Sequence, residues 1–236
     1  MAARYAVYYA PDRDSQLAQV GNSWLGRDLE SGDLLDQPEV VGVSATQIQS
    51  LTKAKRRYGF NCTLKPPFEL NPTTTVNGLL ETANVLAMGL SPIEMPKLEL
   101  TPIGDFIALT LTSSSAVIDE LASTCVRAFE GFRMPLSKER IARYRKDKLT
   151  VHQEQMLNHW GYPYVMEEFR FHMSLTDRIS SVKKRENILH TLKELCDPVL
   201  AGTAPITNIT VVGQKEPDQP MRVIEHFPFG QQPRYG

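Results

Sequence analysis

The run Glu168-Phe169-Arg170-Phe171-His172-Met173-Ser174-Leu175-Thr176 alternates strictly between apolar and polar residues. Phe169, Phe171, Met173 and Leu175 fall on one side, and Arg170, His172, Ser174 and Thr176 on the other. A period of two is the pattern of a strand with one face in a core. The second face carries a cation, an imidazole and two hydroxyls in one row, which solvation alone does not require. An earlier run repeats the design. In Tyr58-Gly59-Phe60-Asn61-Cys62-Thr63-Leu64-Lys65, the apolar Phe60, Cys62 and Leu64 alternate with Gly59, Asn61, Thr63 and Lys65. Both runs share the frame Phe-x-x-[Thr/Ser]-Leu, with Asn61 in the first where the second has His172. Thr63 and Ser174 lie close to half the chain apart.

Around these two runs the chain reads as mixed α and β. Arg4 to Ala10 is strand-like and ends at Pro11. Ser15 to Leu25 has helical spacing, and residues 26–43 read as a loop. Ser44 caps a helix over Ala45 to Leu51, and Pro66-Pro67 is expected to end the first alternating strand. A helix starts at Thr74 or Thr75 and stops at Gly89 and Pro92. Lys97–Ile103 and Phe106–Thr112 form a hairpin about Gly104-Asp105. Helices follow from Ser114 or Ser115 to near Gly131, from Ser137 to His159 with an interruption, and over Arg185–Cys196. Asn208–Gln214 and Arg222–Phe227 make a last strand pair, and the tail from Gly230 is expected to be loose. The order reads as two similar halves. The expected fold is α+β, a single bilobal domain over residues 1–236. Two antiparallel sheets would face a central cleft with helices outside.

Composition narrows the function. With 42% hydrophobic and 22% charged residues the chain is an ordinary globular protein, and its net charge of -1 gives no bulk attraction to nucleic acid or an anionic membrane. Cys62, Cys125 and Cys196 are too widely spaced for a zinc motif and read as buried thiols in a reducing compartment. No apolar stretch approaches a membrane span or a signal h-region, so a cytoplasmic protein is expected. Neither G-x-x-x-x-G-K-[ST] nor G-x-G-x-x-G occurs. His152 and His159 share a helix face without further ligands, and the basic run Lys53, Lys55, Arg56 and Arg57 reads as solvated surface. No cofactor, metal or stable protein partner is implied.

If the two polar rows line one cleft, His172, Ser174 and Arg170 meet Asn61, Thr63 and Lys65. Hydroxyls, an amide and cations make a donor-rich pocket suited to an oxyanion, phosphate above all. A histidine beside it can move protons near neutral pH. The expected ligand is a small phosphorylated substrate or cyclic phosphate, with an RNA end as the alternative.

On these residues the chain resembles the two-histidine (2H) phosphoesterase superfamily, whose signature is His-x-[Ser/Thr] twice per chain, half a chain apart. Arg57-Tyr58-Gly59-Phe60-Asn61-Cys62-Thr63-Leu64-Lys65-Pro66-Pro67-Phe68, Trp160-Gly161-Tyr162-Pro163-Tyr164 and Phe169 to Thr176 are similar to motifs of a bacterial branch associated with phosphonate-utilisation operons. Arg4 to Pro11 and Ser23 to Asp28 are similar too, so the resemblance covers most of the chain. It implies a bilobal α+β fold and metal-free phosphodiester chemistry. His172 would be a catalytic residue, with Thr63 and Ser174 as phosphate ligands. One position departs: Asn61 stands where the first motif has histidine. An amide can hydrogen-bond phosphate or water but transfers no proton at neutral pH. Three accounts follow: a chain that only binds, a slower enzyme relying on His172, or a substitution introduced to trap a complex.

Overall fold

A computed structural model describes residues 3–146, 148–200, 202, 204–216 and 218–230. Seven strands form one antiparallel sheet in the order β3-β4-β5-β2-β1-β6-β7. They are β1 (Arg4–Tyr9), β2 (Cys62–Glu69), β3 (Leu98–Ile103), β4 (Phe106–Leu111), β5 (His172–Ser174), β6 (Asn208–Gln214) and β7 (Arg222–Pro228). The helices are α1 (Gln16–Leu25), α2 (Ala45–Tyr58), α3 (Val76–Met88), α4 (Ala116–Ala128), α5 (Lys138–Arg145), α6 (Val151–Trp160) and α7 (Val182–Leu200).

Helix starts follow capping chemistry. Ser15, Ser44, Thr75, Ser115, Ser137 and Thr150 each accept a backbone N–H of the first turn, satisfying a donor that the helix itself cannot. Ser44 with Gln47 and Thr150 with Gln153 form reciprocal capping boxes. Helix α2 runs seven residues beyond the expected Leu51, to Tyr58, the first residue of the first alternating run.

One sheet face is the core. Val7 and Tyr9, Cys62, Leu64 and Phe68, Ile107 and Leu109, Met173, and Ile209 and Val211 point into it, against the apolar faces of α1, α3, α4 and α7. The alternation of both doubled runs therefore places their apolar residues as expected: Phe60, Phe169, Phe171 and Leu175 are buried there too.

The sheet count differs from expectation. The doubled strands do not look at each other across a groove from two sheets; β5 is hydrogen-bonded beside β2, with Cys62 paired to Met173. The second run also keeps ladder geometry only over His172–Ser174. Phe169 is drawn into the end of a short 3-10 turn, and Thr176 leaves the strand because its hydroxyl accepts the buried N–H of Ile107 at 2.9 Å.

Strand β2 also does not stop at Pro66-Pro67 but continues to Glu69. The prolines lack the N–H a regular ladder needs, and the strand passes them by losing register. Tyr8 pairs with Thr63, Val7 with Lys65 and Tyr5 with Phe68, a shift on either side of Val7. Such bulges re-aim side chains, and the one between Thr63 and Lys65 moves Lys65. The tail beyond Gly230 lies outside the described residues.

Candidate functional site: the open face of the β2–β5 pair

The second sheet face carries the polar row. The antiparallel register through Cys62 and Met173 sets Thr63 across from His172 and brings Asn61 alongside Ser174. Next in line, β4 places Thr110 beside His172 and Ala108 beside Ser174. Thr63, Thr110, His172 and Ser174 are all half-buried. Four of the six expected site residues thus lie side by side on one face.

Asn61 is positioned by Gly59. That glycine has φ +80, and a Cβ there would sit 2.5 Å from Leu29 Cδ1, so α2 can end and the strand begin only with glycine at this point. The Asn61 amide then turns back on the turn it follows. Its Nδ2 donates to the Gly59 carbonyl at 2.8 Å and more weakly to that of Tyr58 at 3.4 Å. Its Oδ1 accepts the Thr63 hydroxyl at 3.1 Å. Asn61 is therefore closed on protein partners and holds Thr63.

His172 is arranged differently. Its Nδ1 lies 2.8 Å from the Arg170 carbonyl, and a carbonyl only accepts, so Nδ1 carries the proton and Nε2 the lone pair in the neutral ring. Burial pushes its pKa below the ordinary value; the Arg170 carbonyl opposes this and the nearby Lys55 cation adds to it. Near neutral pH the ring is neutral and Nε2 is basic. Phe106 flanks it, ring centroids 6.1 Å apart. The Ser174 hydroxyl has no hydrogen-bond partner among the described residues.

Two expected residues sit elsewhere. Lys65 points to the core face, away from Thr63. Its side chain is 1% exposed, with Nζ 2.7 Å from Glu130 Oε2 and 3.1 Å from the Val126 carbonyl at the end of α4. The register shift at Leu64, between Thr63 and Lys65, is the physical reason. Burial lowers the Lys65 pKa, which the Glu130 hydrogen bond and charge oppose. Arg170 is exposed and folds back onto the carbonyls of Glu167 (2.7 Å) and Phe169 (2.5 Å), which fixes the turn into β5.

The cation beside His172 is Lys55, from the run read as solvated. Trp24 Nε1 donates to the Leu175 carbonyl at 2.7 Å, tying the end of β5 to α1. Asp177 then docks on α2, its N–H on the Leu51 carbonyl at 2.6 Å and its carboxylate accepting the Ala54 N–H at 2.9 Å. This clamp lays the last turns of α2 along the polar row. Lys55 Nζ sits 5.4 Å from the centre of the Phe106 ring, half-buried, with its pKa lowered first by burial. Tyr58, three residues on and on the same helical side, packs over Ala6, Tyr8, Val212 and Met221 on the open face. The signal for both was the i, i+3 spacing of Lys55 and Tyr58 just ahead of the glycine turn.

Among the described residues no group of three His, Cys, Asp or Glu side chains is placed to hold a metal ion, and no helix is long and apolar enough to cross a membrane. Cys62, Cys125 and Cys196 are buried free thiols, and burial pushes Cys62 up to about 12.

The fold and the row define an α+β protein whose open sheet face presents an imidazole among hydroxyls. The chain belongs to the family described as "Protein of unknown function (DUF1045)", whose model matches residues 63–222, beginning at the hydroxyl of the first motif. It is similar to a "Ribose 1,5-bisphosphate phosphokinase PhnN" of Janthinobacterium sp. (strain Marseille), 33% identical over 97% of this chain and 51% of that protein. A protein of the same name from Laribacter hongkongensis (strain HLHK9) is 30% identical over 76% of this chain and 41% of that protein. The chain spans about half the length, or less, of these curated relatives.

Proposed function

We propose that this chain is a 2H-phosphoesterase-type protein that takes a cyclic or small phosphodiester on the open face of β2 and β5, with turnover reduced by Asn61. The observation that carries the reading is the juxtaposition of the Thr63 and Ser174 hydroxyls with a His172 whose Nε2 bears the lone pair. In this reading the ester's phosphoryl oxygens lie among Ser174, Thr63 and the Lys55 ammonium. His172 Nε2 takes the proton of the attacking water. The departing oxygen would be protonated by a histidine at position 61. Asn61 carries no such proton and its amide is engaged by the protein, so that oxygen must take its proton from solvent.

The internal duplication is part of the proposal. Its support is the frame Phe-x-x-[Thr/Ser]-Leu shared by two hydrogen-bonded neighbours; outward from their junction the sheet is uneven, with β4 and β3 on one side and β1, β6 and β7 on the other. The phosphonate-utilisation context implied by the resemblance, and the ribose bisphosphate in the relatives' name, both favour a sugar-derived ester over a nucleic acid. The phosphokinase activity in that name we assign to the part of the relatives that this chain does not match, because the chain has no phosphate-binding glycine loop of either common kind.

A second reading, a module that binds the phosphorylated metabolite or an RNA end without turning it over, is favoured by one observation. The Thr63 hydroxyl proton is already engaged by Asn61. Hydrolysis of 2′,3′-cyclic nucleotides and ribose cyclic phosphates, followed with the native chain and with Asn61→His, separates the two. Slow native turnover that His172→Ala abolishes supports the enzyme. Affinity without turnover, lost in Thr63→Val, supports the binding module. If Asn61→His hydrolyses none of these esters, the phosphodiesterase reading fails.

A further inference from the structure

Beyond Thr63 the open face becomes basic and phenolic. Tyr8 is the strand partner of Thr63, and Arg4 lies four residues, about 13 Å, back along β1 on the same face. Tyr58 covers Tyr8, and its hydroxyl accepts Arg57 Nη2 at 3.0 Å while the guanidinium carbon stands 5.1 Å from the ring centre. The Arg4 guanidinium meets neutral groups: Nη2 donates to Gln214 Oε1 at 2.5 Å, and its buried Nε has no hydrogen-bond partner among the described residues. Glu69, the strand partner of Arg4, is engaged by Arg140 at 3.2 Å. Tyr144 of α5 completes the group electrostatically, facing Arg140, Tyr58, Arg4 and Arg143. Burial alone would raise the Tyr58 phenol, yet the hydrogen bonds and charges of Arg57 and Arg4 outweigh it and hold the phenol below its ordinary range. That is the mark of a positive potential at this spot. Guanidinium forks beside phenol hydroxyls are the donor set of a phosphomonoester dianion.

We propose that Arg4, Arg57 and Tyr58 hold a second, terminal phosphate, so that the ligand of the cleft is a phosphosugar with a phosphodiester at one end and a phosphomonoester at the other. The proposal rests on the phosphodiester reading of the Thr63–Ser174 row and names its substrate class.

The test compares adenosine 2′,3′-cyclic phosphate with its 5′-phosphorylated form by calorimetry. The native chain is expected to prefer the phosphorylated form by about tenfold. Arg4→Gln should lower that affinity about tenfold and bring the two ligands within about twofold of each other. Equal affinities in the native chain, or an equal loss for both ligands in Arg4→Gln, would overturn the proposal. Inorganic phosphate gives a probe independent of the sugar. It should raise the pH at which the Tyr58 phenolate appears in ultraviolet difference absorbance, in the native chain and in Thr63→Val alike, and Tyr58→Phe should remove the signal. A phosphate shift with no binding of either nucleotide supports the phosphate site while removing the phosphodiester reading. No shift, or one that vanishes in Thr63→Val, assigns phosphate elsewhere and overturns the second site.

Discussion

The two motif strands lie side by side, share a frame and a face, and differ in one residue type with large consequences. On β5, His172 uses its own backbone, through the Arg170 carbonyl, to fix a tautomer and leave Nε2 with its lone pair. Ser174 beside it keeps its hydroxyl for other partners. On β2, Asn61 spends both halves of its amide on the protein and takes the Thr63 hydroxyl as well. One strand leaves a ring nitrogen with its lone pair, and the other closes its amide on the protein. The comparison teaches that one frame can carry two different polar arrangements, because the turn at Gly59 and the β2–β5 ladder need only a residue able to satisfy nearby carbonyls.

The comparison can be broken most forcefully at His172. His172→Ala should remove about 10²–10⁴-fold of any turnover of a cyclic phosphodiester, since it deletes the one proton carrier in the row; initial rates on 2′,3′-cyclic nucleotides check this. A milder probe is pH. Protonation of His172 occupies Nε2, so activity should be absent in acid, rise through a pKa held below the ordinary value near 6.5 by burial, and then stay level. A falling alkaline limb would mean that a second group titrates in the cleft.

Lys65 sharpens the contrast from the other side of the sheet. It was expected in the ligand row but lies in the core, bonded to Glu130, which Arg133 also holds at 2.5 Å. Lys65→Met should therefore cost about 2 kcal/mol of stability, as a lower urea midpoint, with the pH profile of turnover unchanged. Thr63→Val should weaken ligand binding by about tenfold, the loss of one hydrogen bond to a charged group. Arg170→Ala should do least, within about 0.5 kcal/mol in stability and with no change in KM, because its guanidinium serves only an exposed turn.

Much of this molecule is visible in its sequence where the signal is local. The capping residues mark the helix starts, and the period of two in Phe60–Leu64 and Phe169–Leu175 separates core from open face. What escapes the sequence is set by pairing between distant segments. Alternation places Lys65 beside Thr63, but register is a property of two strands, and the shift at Leu64 appears only once β2 is laid against β1. Two similar halves suggest two sheets, yet nothing in either half alone says that β5 will bond directly to β2. Lys55 reads as surface because the clamp that lays α2 on the row depends on Asp177, more than a hundred residues away. Four residues of the row were legible; the cation beside them was not.

The central claim is that this face is half of a two-histidine site, complete but for one proton carrier. The most direct measurement is the pH–rate profile of cyclic phosphodiester hydrolysis by Asn61→His beside the native chain. A gain of about 10²-fold or more, with the single rising limb becoming a bell, is the predicted result. An unchanged rate and an unchanged profile, in a variant that binds the ester as tightly as the native chain, would contradict it.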